Sequence, residues 1–367
     1  MAAARPGKTA KLADVAAAAG VSAGTVSNVF NRPAVVRPEV QARVRAVAED
    51  LGYSADPAGR LLRAGKVNAI GVATVEPLSH FFADPFARVL MTGITEVAQA
   101  NGAGVSLVSL ANTEEAAWNV RSALVDGFIL FCLERAQELI RSATERNLPF
   151  VAISLGEAGD AVSVVGIDDE AGARTAAEHL IGLGHHRFAI LALELGPGRR
   201  GGRVSPAQVE ASVFSTPRER VHGTFAALRA HGIDTGSVPI FAPSEDRDAI
   251  HAALEEIFAS PAPPTALLAQ SDVIALAALD WLKAHGMAVP SDVSIVGFDG
   301  VPESATSLPP LTTIAQPIIE MGRRAADMIL SFDGTVSRQV FGFSLVVRGS
   351  TAPPPDAWSR RTGRETG

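Results

Sequence analysis

The chain has 367 residues, 47% hydrophobic and 19% charged, which is enough apolar material for two or three cored domains and excludes a disordered chain; no apolar run reaches the roughly 18 residues that a membrane span needs. The single cysteine, Cys132, excludes an internal disulfide, and beside the run Gly127-Phe128-Ile129-Leu130-Phe131 it reads as a small buried hydrophobe. The net charge of -7 is unevenly spread: residues 1–66 carry ten Lys/Arg against five Asp/Glu, giving +5 there and -12 on the remainder, a basic head suited to a polyanion on an acidic body.

Met1 to Lys11 has basic residues but lacks the apolar core of a secretory signal, so a cytoplasmic protein is expected. Three short helices follow. Leu12, Val15 and Ala16 share a face of the first, Leu12 to Ala19, and Gly20 ends it in a left-handed conformation. Ser22 can cap a second helix, Ala23 to about Phe30, whose apolar side is Val26, Val29 and Phe30. Two helices joined by a short glycine turn form a helix-turn-helix, though a plain helical bundle has the same pattern. The exposed face of the second helix offers Ala23, Gly24, Thr25, Ser27 and Asn28. A third helix opens at Pro38 and buries Val40, Val44, Val47 and Leu51.

Residues 54–66 form a linker in which Pro57 can open, and Gly65 close, one or two helical turns carrying Arg60, Leu62 and Arg63; so short a helix is marginal alone. From Val67 strands alternate with helices, the pattern of parallel sheets flanked by helices. Strands are expected at Ala69–Val75, Gly104–Leu110, Gly127–Cys132, Phe150–Ile153, Val162–Ile167, Arg187–Leu193, Ala266–Ala269 and Val293–Phe298. The order suggests an α/β body of two lobes: lobe 1 at about 67–165 and 301–332, lobe 2 at about 166–300 and 333–350, then a disordered tail, 351–367, with no heptad. Ligands of such sheets bind beyond the carboxyl ends of the strands. Asp299 directly follows an apolar strand and Arg220 opens a helix; together they can clamp hydroxyls, or form a structural ion pair.

Several gap-free pieces carry a family resemblance: Leu12-Ala13-Asp14-Val15-Ala16, Ala19-Gly20-Val21-Ser22, Thr25-Val26-Ser27, Asn31, Leu51-Gly52-Tyr53, Gly166-Ile167-Asp168-Asp169-Glu170, Arg220-Val221-His222-Gly223, Val296-Gly297-Phe298-Asp299 and Pro310-Leu311-Thr312-Thr313. Over residues 11–350 the chain resembles the lactose-repressor/purine-repressor (LacI/GalR) family. The resemblance implies a helix-turn-helix head at 1–53, a hinge at 54–66, and a periplasmic-binding-protein-like, two-lobed effector-binding and dimerisation domain at 67–350. It implies a homodimer on a palindromic double-stranded DNA operator, with the second helix in the major groove. Ala23, Gly24, Thr25, Ser27, Asn28 and Asn31 would face DNA, Leu62 would wedge into the minor groove, and Arg60 and Arg63 would meet phosphates. It implies a small-molecule effector, a sugar or related metabolite, contacted by Phe86, Thr216, Arg220, Asp272 and Asp299. Phe86 could equally be core, and Asp272 a helix cap.

The chain departs from the family pattern in places. Lys11 and Arg37 stand at capping positions, residues 76–84 are about four longer, Ser154-Leu155 replaces an Asp-Arg-like pair, and Gly196–Ser215 reads as a mobile insertion. No Walker loop, G-x-S-x-G elbow or Cys/His metal spacing is present, so no enzyme, cofactor or metal is expected. His185-His186 reads as a helix-end cap. The body alone would also suit a sugar-type binding protein without a transcriptional role.

Overall fold

The computed structural model describes residues 10–31, 33–53, 66–74, 77–110, 113–131, 148–154, 162–196, 201–243 and 246–355. The chain divides into two compact units, Met1–Val67 and Asn68–Gly367. The hinge residues Arg60, Leu62 and Arg63, with Cys132, Leu155 and the far tail, lie outside the described residues.

The first unit holds helices α1 (Leu12–Ala19), α2 (Ala23–Asn31) and α3 (Pro38–Asp50). Gly20, at φ 63°, ends α1, and the Val21 amide donates to the Ala16 carbonyl at 3.0 Å. Lys11 supplies no side-chain cap, yet its own amide donates to Asp14 Oδ2 at 2.8 Å. Ser22 Oγ accepts from the Thr25 amide at 3.1 Å and so caps α2. Before α3, Gln41 Nε2 donates to the carbonyls of Pro33 and Val36, both at 2.8 Å, fixing the turn that Arg37 leaves uncapped. Val15, Ala16, Ala19, Val26, Val29, Val44 and Ala48 form the core. Leu51 is a correction: it is 42% exposed, because Tyr53 folds back, its amide donating to the Ala48 carbonyl at 2.8 Å and its ring lying 5.7 Å from Phe30.

The second unit contains two sheets. In lobe 1, β1 (Ala69–Thr74), β2 (Gly104–Ser109), β3 (Gly127–Leu130), β4 (Phe150–Ile153), β5 (Ser163–Ile167) and β12 (Arg338–Phe341) run parallel in the order β12-β5-β4-β3-β1-β2. In lobe 2, β6 (Phe188–Leu191), β7 (Arg203–Val204), β8 (Ile240–Phe241), β9 (Ala266–Ala269), β10 (Ser294–Asp299), β11 (Thr312–Ala315) and β13 (Ser344–Val346) are ordered β13-β11-β10-β9-β6-β8-β7. The outer strands β13 and β7 are antiparallel to their neighbours. Helices α4 (His80–Ala83), α5 (Pro85–Ala100), α6 (Thr113–Ser122) and α13 (Ile318–Leu330) accompany the first sheet; α7 (Asp169–Gly182), α8 (Pro206–Glu210), α9 (Ser215–Ala230), α10 (Arg247–Phe258), α11 (Asp272–Ala284) and α12 (Pro302–Thr306) accompany the second.

This topology corrects the expected lobe boundaries. β11 pairs with β10, Thr312 opposite Val296, so the chain stays in lobe 2 until Gln316 instead of leaving near 300. β12 pairs with β5, Arg338 opposite Val164, so lobe 1 extends to Phe341 instead of ending near 332. Both strands are short, and only Gly342 and Phe343 separate β12 from β13 in the other sheet; neither piece has the long apolar run that marks a buried strand. The tail is also corrected at its start. His185 Nε2 donates to the Ala352 carbonyl at 2.9 Å, and the Ala352 amide donates to Ser294 Oγ at 3.0 Å. The His185 ring is therefore buried among Thr265, Ser294 and Ala352, while its backbone amide closes α7 on the Leu180 carbonyl.

Each lobe has a helix pair that touches through glycine. A Cβ on Gly93 of α5 would stand 2.0 Å from the Ile319 carbonyl oxygen of α13, and one on Gly223 of α9 would stand 2.0 Å from that of Glu170 in α7. Backbone cannot step aside as a side-chain tip can. Gly93→Ala and Gly223→Ala are expected to cost about 1–3 kcal/mol each in denaturant unfolding. Gly182→Ala, where a Cβ meets nothing within 4 Å, is the control and should cost nothing.

Candidate functional site

The carboxyl ends of both sheets and the flanking helix starts border a cleft of about 520 Å³, within the ordinary range for small-molecule sites. Arg220 of α9 borders it and is 5% exposed. Its Nε donates to Asp169 Oδ1 at 2.7 Å, its Nη1 donates to the Gln270 carbonyl and lies 3.7 Å from Asp299 Oδ1, and its Cζ sits 3.6 Å above the Phe298 ring. The guanidinium is thus held flat and aimed by α7, by Gln270 just after β9 and by β10, before any ligand arrives. Gln270 is itself fixed: its Oε1 accepts from the Leu193 amide at 3.0 Å and its Nε2 donates to the Pro217 carbonyl at 3.1 Å.

Asp299 ends β10 with φ 117°, a backbone region costly for a residue with a Cβ. Its Oδ1 accepts from Gln316 Nε2 at 2.9 Å, and Gln316 stands on the segment that crosses back to lobe 1. A lobe movement that shifts this crossing therefore acts directly on Asp299. Burial raises the Asp169 carboxyl above its usual pKa, and the facing Arg220 guanidinium opposes that rise.

Phe86 and Thr216 also border the cleft. Asp84 caps α5, accepting from the amides of Phe86 at 3.0 Å and Ala87 at 3.1 Å, and so sets the Phe86 ring at the wall. Thr216 Oγ1 lies 3.2 Å from Ser154 Oγ, a hydroxyl pair that bridges lobe 2 to lobe 1. On the outer side, Arg88 of α5 pairs with Glu303 of α12, a second bridge between the lobes.

Asp272 does not join the cleft. It is fully buried at the first turn of α11, which Ser271 caps instead, its Oγ accepting from the Ile274 amide at 3.2 Å. Asp272 Oδ2 accepts from the amides of Gly300 and Val301 at 2.8 and 2.9 Å, and its Oδ1 accepts from Thr313 Oγ1 at 2.6 Å. Its role is to pin the turn after β10 that carries Asp299. Burial pushes its carboxyl up to about 6 against the pull of these hydrogen bonds. A raised folded-state pKa gives stability present below the unfolded value near 3.8 and lost as pH rises through about 6. Asp272→Asn keeps the acceptor for both amides and lets Thr313 accept instead of donate. Its unfolding free energy should fall less steeply over this window than that of the parent chain; equal pH slopes in the two proteins would refute this.

Sequence reasoning missed three participants. Asp169, the closest carboxylate to Arg220, has no role in the sequence reading; an acidic residue in the first turn of a helix reads as a dipole partner until α7 is seen against α9. Phe81 lies in the stretch before Asp84 and packs edge-on to Phe131 with centroids 4.6 Å apart. Phe214 came from the segment read as a mobile insertion. That segment instead contains β7, paired with β8, and α8, capped by Ser205, whose Oγ accepts from the Gln208 amide at 3.3 Å; residues 197–200 lie outside the described residues.

On α2, Ala23, Gly24 and Asn28 are exposed and Thr25 and Ser27 half-buried, while nothing is described of the Asn31 side chain. Thr25 Oγ1 lies 2.9 Å from Ser22 Oγ. Among the described residues no helix is long and apolar enough to cross a membrane and no group of three or more His, Cys, Asp or Glu side chains could hold a metal ion.

Comparison with known proteins agrees with this arrangement. Residues 11–56 match the model of bacterial regulatory proteins of the lacI family, and residues 177–351 match a periplasmic binding protein-like domain. The chain is 36% identical over 357 residues to the HTH-type transcriptional regulator Rv3575c of Mycobacterium tuberculosis, covering 95% of this chain and 99% of that one. It is 31% identical to the HTH-type transcriptional regulator CelR of Thermobifida fusca, covering 86% of this chain and 89% of that one. Among solved structures, the lac repressor dimer bound to operator and the anti-inducer ONPF superimposes with a TM-score of 0.73 at 27% identity, covering 94% of this chain and 100% of that one.

Proposed function

This chain belongs to the lacI family of bacterial regulatory proteins, and as a DNA-binding transcription regulator we propose that it is a cytoplasmic, non-enzymatic repressor whose operator affinity is set by a sugar-like effector in the cleft between its lobes. The observation that carries the reading is the Asp169–Arg220–Asp299–Gln316 array: a buried, pre-aimed guanidinium and two carboxylates at the carboxyl end of a sheet, suited to clamp neighbouring hydroxyls. One solved relative, CelR, is a cellobiose complex, which supports a polyhydroxylated ligand. Within the array, Asp169 is held by Arg220 and Asp299 by Gln316, an arrangement suited to binding hydroxyls.

In this reading two heads, one per protomer of a homodimer, sit on a palindromic operator. Ala23, Gly24, Thr25, Ser27, Asn28 and Asn31 face the major groove, while Arg60, Leu62 and Arg63 of the hinge serve phosphates and the minor groove. Ligand binding shifts the relative lobe populations by its differential affinity, and the Gln316 crossing and the Ser154–Thr216 bridge relay the change. Asp299→Ala tests the cleft assignment. In a thermal-shift screen over sugars, polyols and nucleosides, ligands that stabilise the parent chain should lose their effect on this variant, with DNA affinity kept. An unchanged ligand response would place the effector elsewhere.

A further inference from the structure

The amino ends of the lobe 2 strands, at the pole opposite the cleft, hold a buried imidazole. His185 follows α7 and is 1% exposed. Its Nε2 lies 2.9 Å from the Ala352 carbonyl, which can only accept, so Nε2 carries the proton. Its Nδ1, 2.9 Å from Thr265 Oγ1, is then the acceptor of a neutral ring. Thr265 precedes β9 and Ser294 opens β10, so one ring ties two strand starts to the segment around Ala352. That segment is stitched down residue by residue. Ser350 Oγ donates to the Ile295 carbonyl at 2.7 Å and accepts from the Thr312 amide at 2.8 Å, while the Ile295 amide donates to the Ser350 carbonyl at 2.9 Å. Thr351 Oγ1 lies 3.0 Å from His179 Nε2 of α7 and 3.2 Å from Thr312 Oγ1. The Ala352 amide donates to Ser294 Oγ at 3.0 Å. Residues 350–352 thus form a strap that follows β13, and Gly342 and Phe343 separate β13 from β12 of lobe 1. The strap is the lobe 2 anchor of the last crossing between the lobes.

Acid works against this anchor. A second proton on His185 turns Nδ1 into a donor toward Thr265 Oγ1, and the buried Thr265 hydroxyl then loses its acceptor. The titratable groups facing the ring are themselves histidines, His179 of α7 and the adjacent His186. The start of β9, the start of β10 and the strap present the neutral groups of Thr265, Ser294 and Ala352. Burial holds His185 below the ordinary histidine value of 6.5, the Ala352 carbonyl opposes that fall, and His179 and His186 add to it. Burial lowers His179 as well. A ring whose docked pKa lies below its released value takes up protons on release. Docking is therefore strongest above about pH 6.5 and weakens as pH falls below it.

We infer that residues 350–352 are an acid-released strap: the neutral ring of His185, with His179 beside it, fastens the last crossing of the chain to lobe 2, and protonation lets it go. The device is independent of what the cleft binds. Acid loosens one of the connections through which the two lobes move together.

The test is hydrogen exchange of the full chain, read by mass spectrometry at about pH 5.5 and about pH 8 and corrected for the intrinsic pH dependence of exchange. Peptides spanning residues 344–355 should lose protection at least about tenfold in acid, while β1 of lobe 1 keeps its protection to within about twofold. His185→Gln sets a neutral amide nitrogen near the place of Nε2, so its strap should stay protected and its acid response shrink to within about twofold. A readout on the parent chain needs no variant: followed by nuclear magnetic resonance, the His185 ring should titrate below 6.5. Equal strap protection at the two pH values, an undiminished acid response in His185→Gln, or a His185 ring titrating at or above 6.5 each overturns the inference.

Discussion

Arg220→Ala is expected to be among the most destabilising single substitutions in the body, by about 3–5 kcal/mol, and to abolish effector binding with it. The side chain is 5% exposed and its loss strips Asp169 of its closest cation, Asp299 of a neighbouring one and Phe298 of the group stacked on its ring. Asp169 is already raised by burial with Arg220 opposing, so removal of Arg220 raises it further. The sign of the pH effect follows. A raised folded-state carboxyl favours the fold at low pH and disfavours it as pH climbs through the raised value, so the variant should be least impaired in acid and worst at neutral pH and above. Asp169→Asn in the Arg220→Ala background removes the stranded charge and should recover part of the stability without recovering ligand binding. A double-mutant cycle in urea separates these effects. Additive losses across the two substitutions would show that the pair is not coupled.

Gly24→Glu is expected to lower DNA affinity by at least about a hundredfold while leaving the fold intact. Gly24 is exposed on α2, and a Cβ there meets only Ser22 Oγ at 3.6 Å, an ordinary contact. Glutamate is also a better helix former than glycine, so the head should if anything be slightly more stable. On DNA the new carboxylate would enter a groove flanked by phosphates, opposing the +5 charge of the first 66 residues. Affinity measured at several salt concentrations, with circular dichroism as the folding control, checks this. Parent-like affinity would move the DNA-facing surface off α2.

The sequence carried the parts of this protein whose signal is local. Gly20, Ser22 and the 3.6-residue apolar spacing place the helices of the head, and long apolar strands such as β10 place the lobes, with Asp299 marked as the polar end of one of them. What it could not carry depends on pairing across distance. Arg338–Phe341 and Ser344–Val346 look alike as short, half-buried segments, yet they join different sheets; only the register with Val164 and Leu345's pairing with Ile314 tells them apart. Asp169 and Asp272 are both acids at the first turn of a helix after a strand. The first meets Arg220, 51 residues away, while the second meets the turn at Gly300 and Val301, so identical local settings gave one cleft residue and one structural pin. Leu51 fits the apolar stripe of α3 but is displaced by Tyr53, which lies beyond the helix end.

The cleft is expected to govern a sequence-reading head through two copies of the chain. The most direct measurement is selection of binding sites by the full chain from a pool of random duplex DNA, followed by affinity for the selected site. The account predicts enrichment of a two-fold symmetric sequence with half-sites about one helical turn apart, bound by the parent chain and not by Gly24→Glu. Enrichment of no sequence, or of a site without two-fold symmetry, would contradict it.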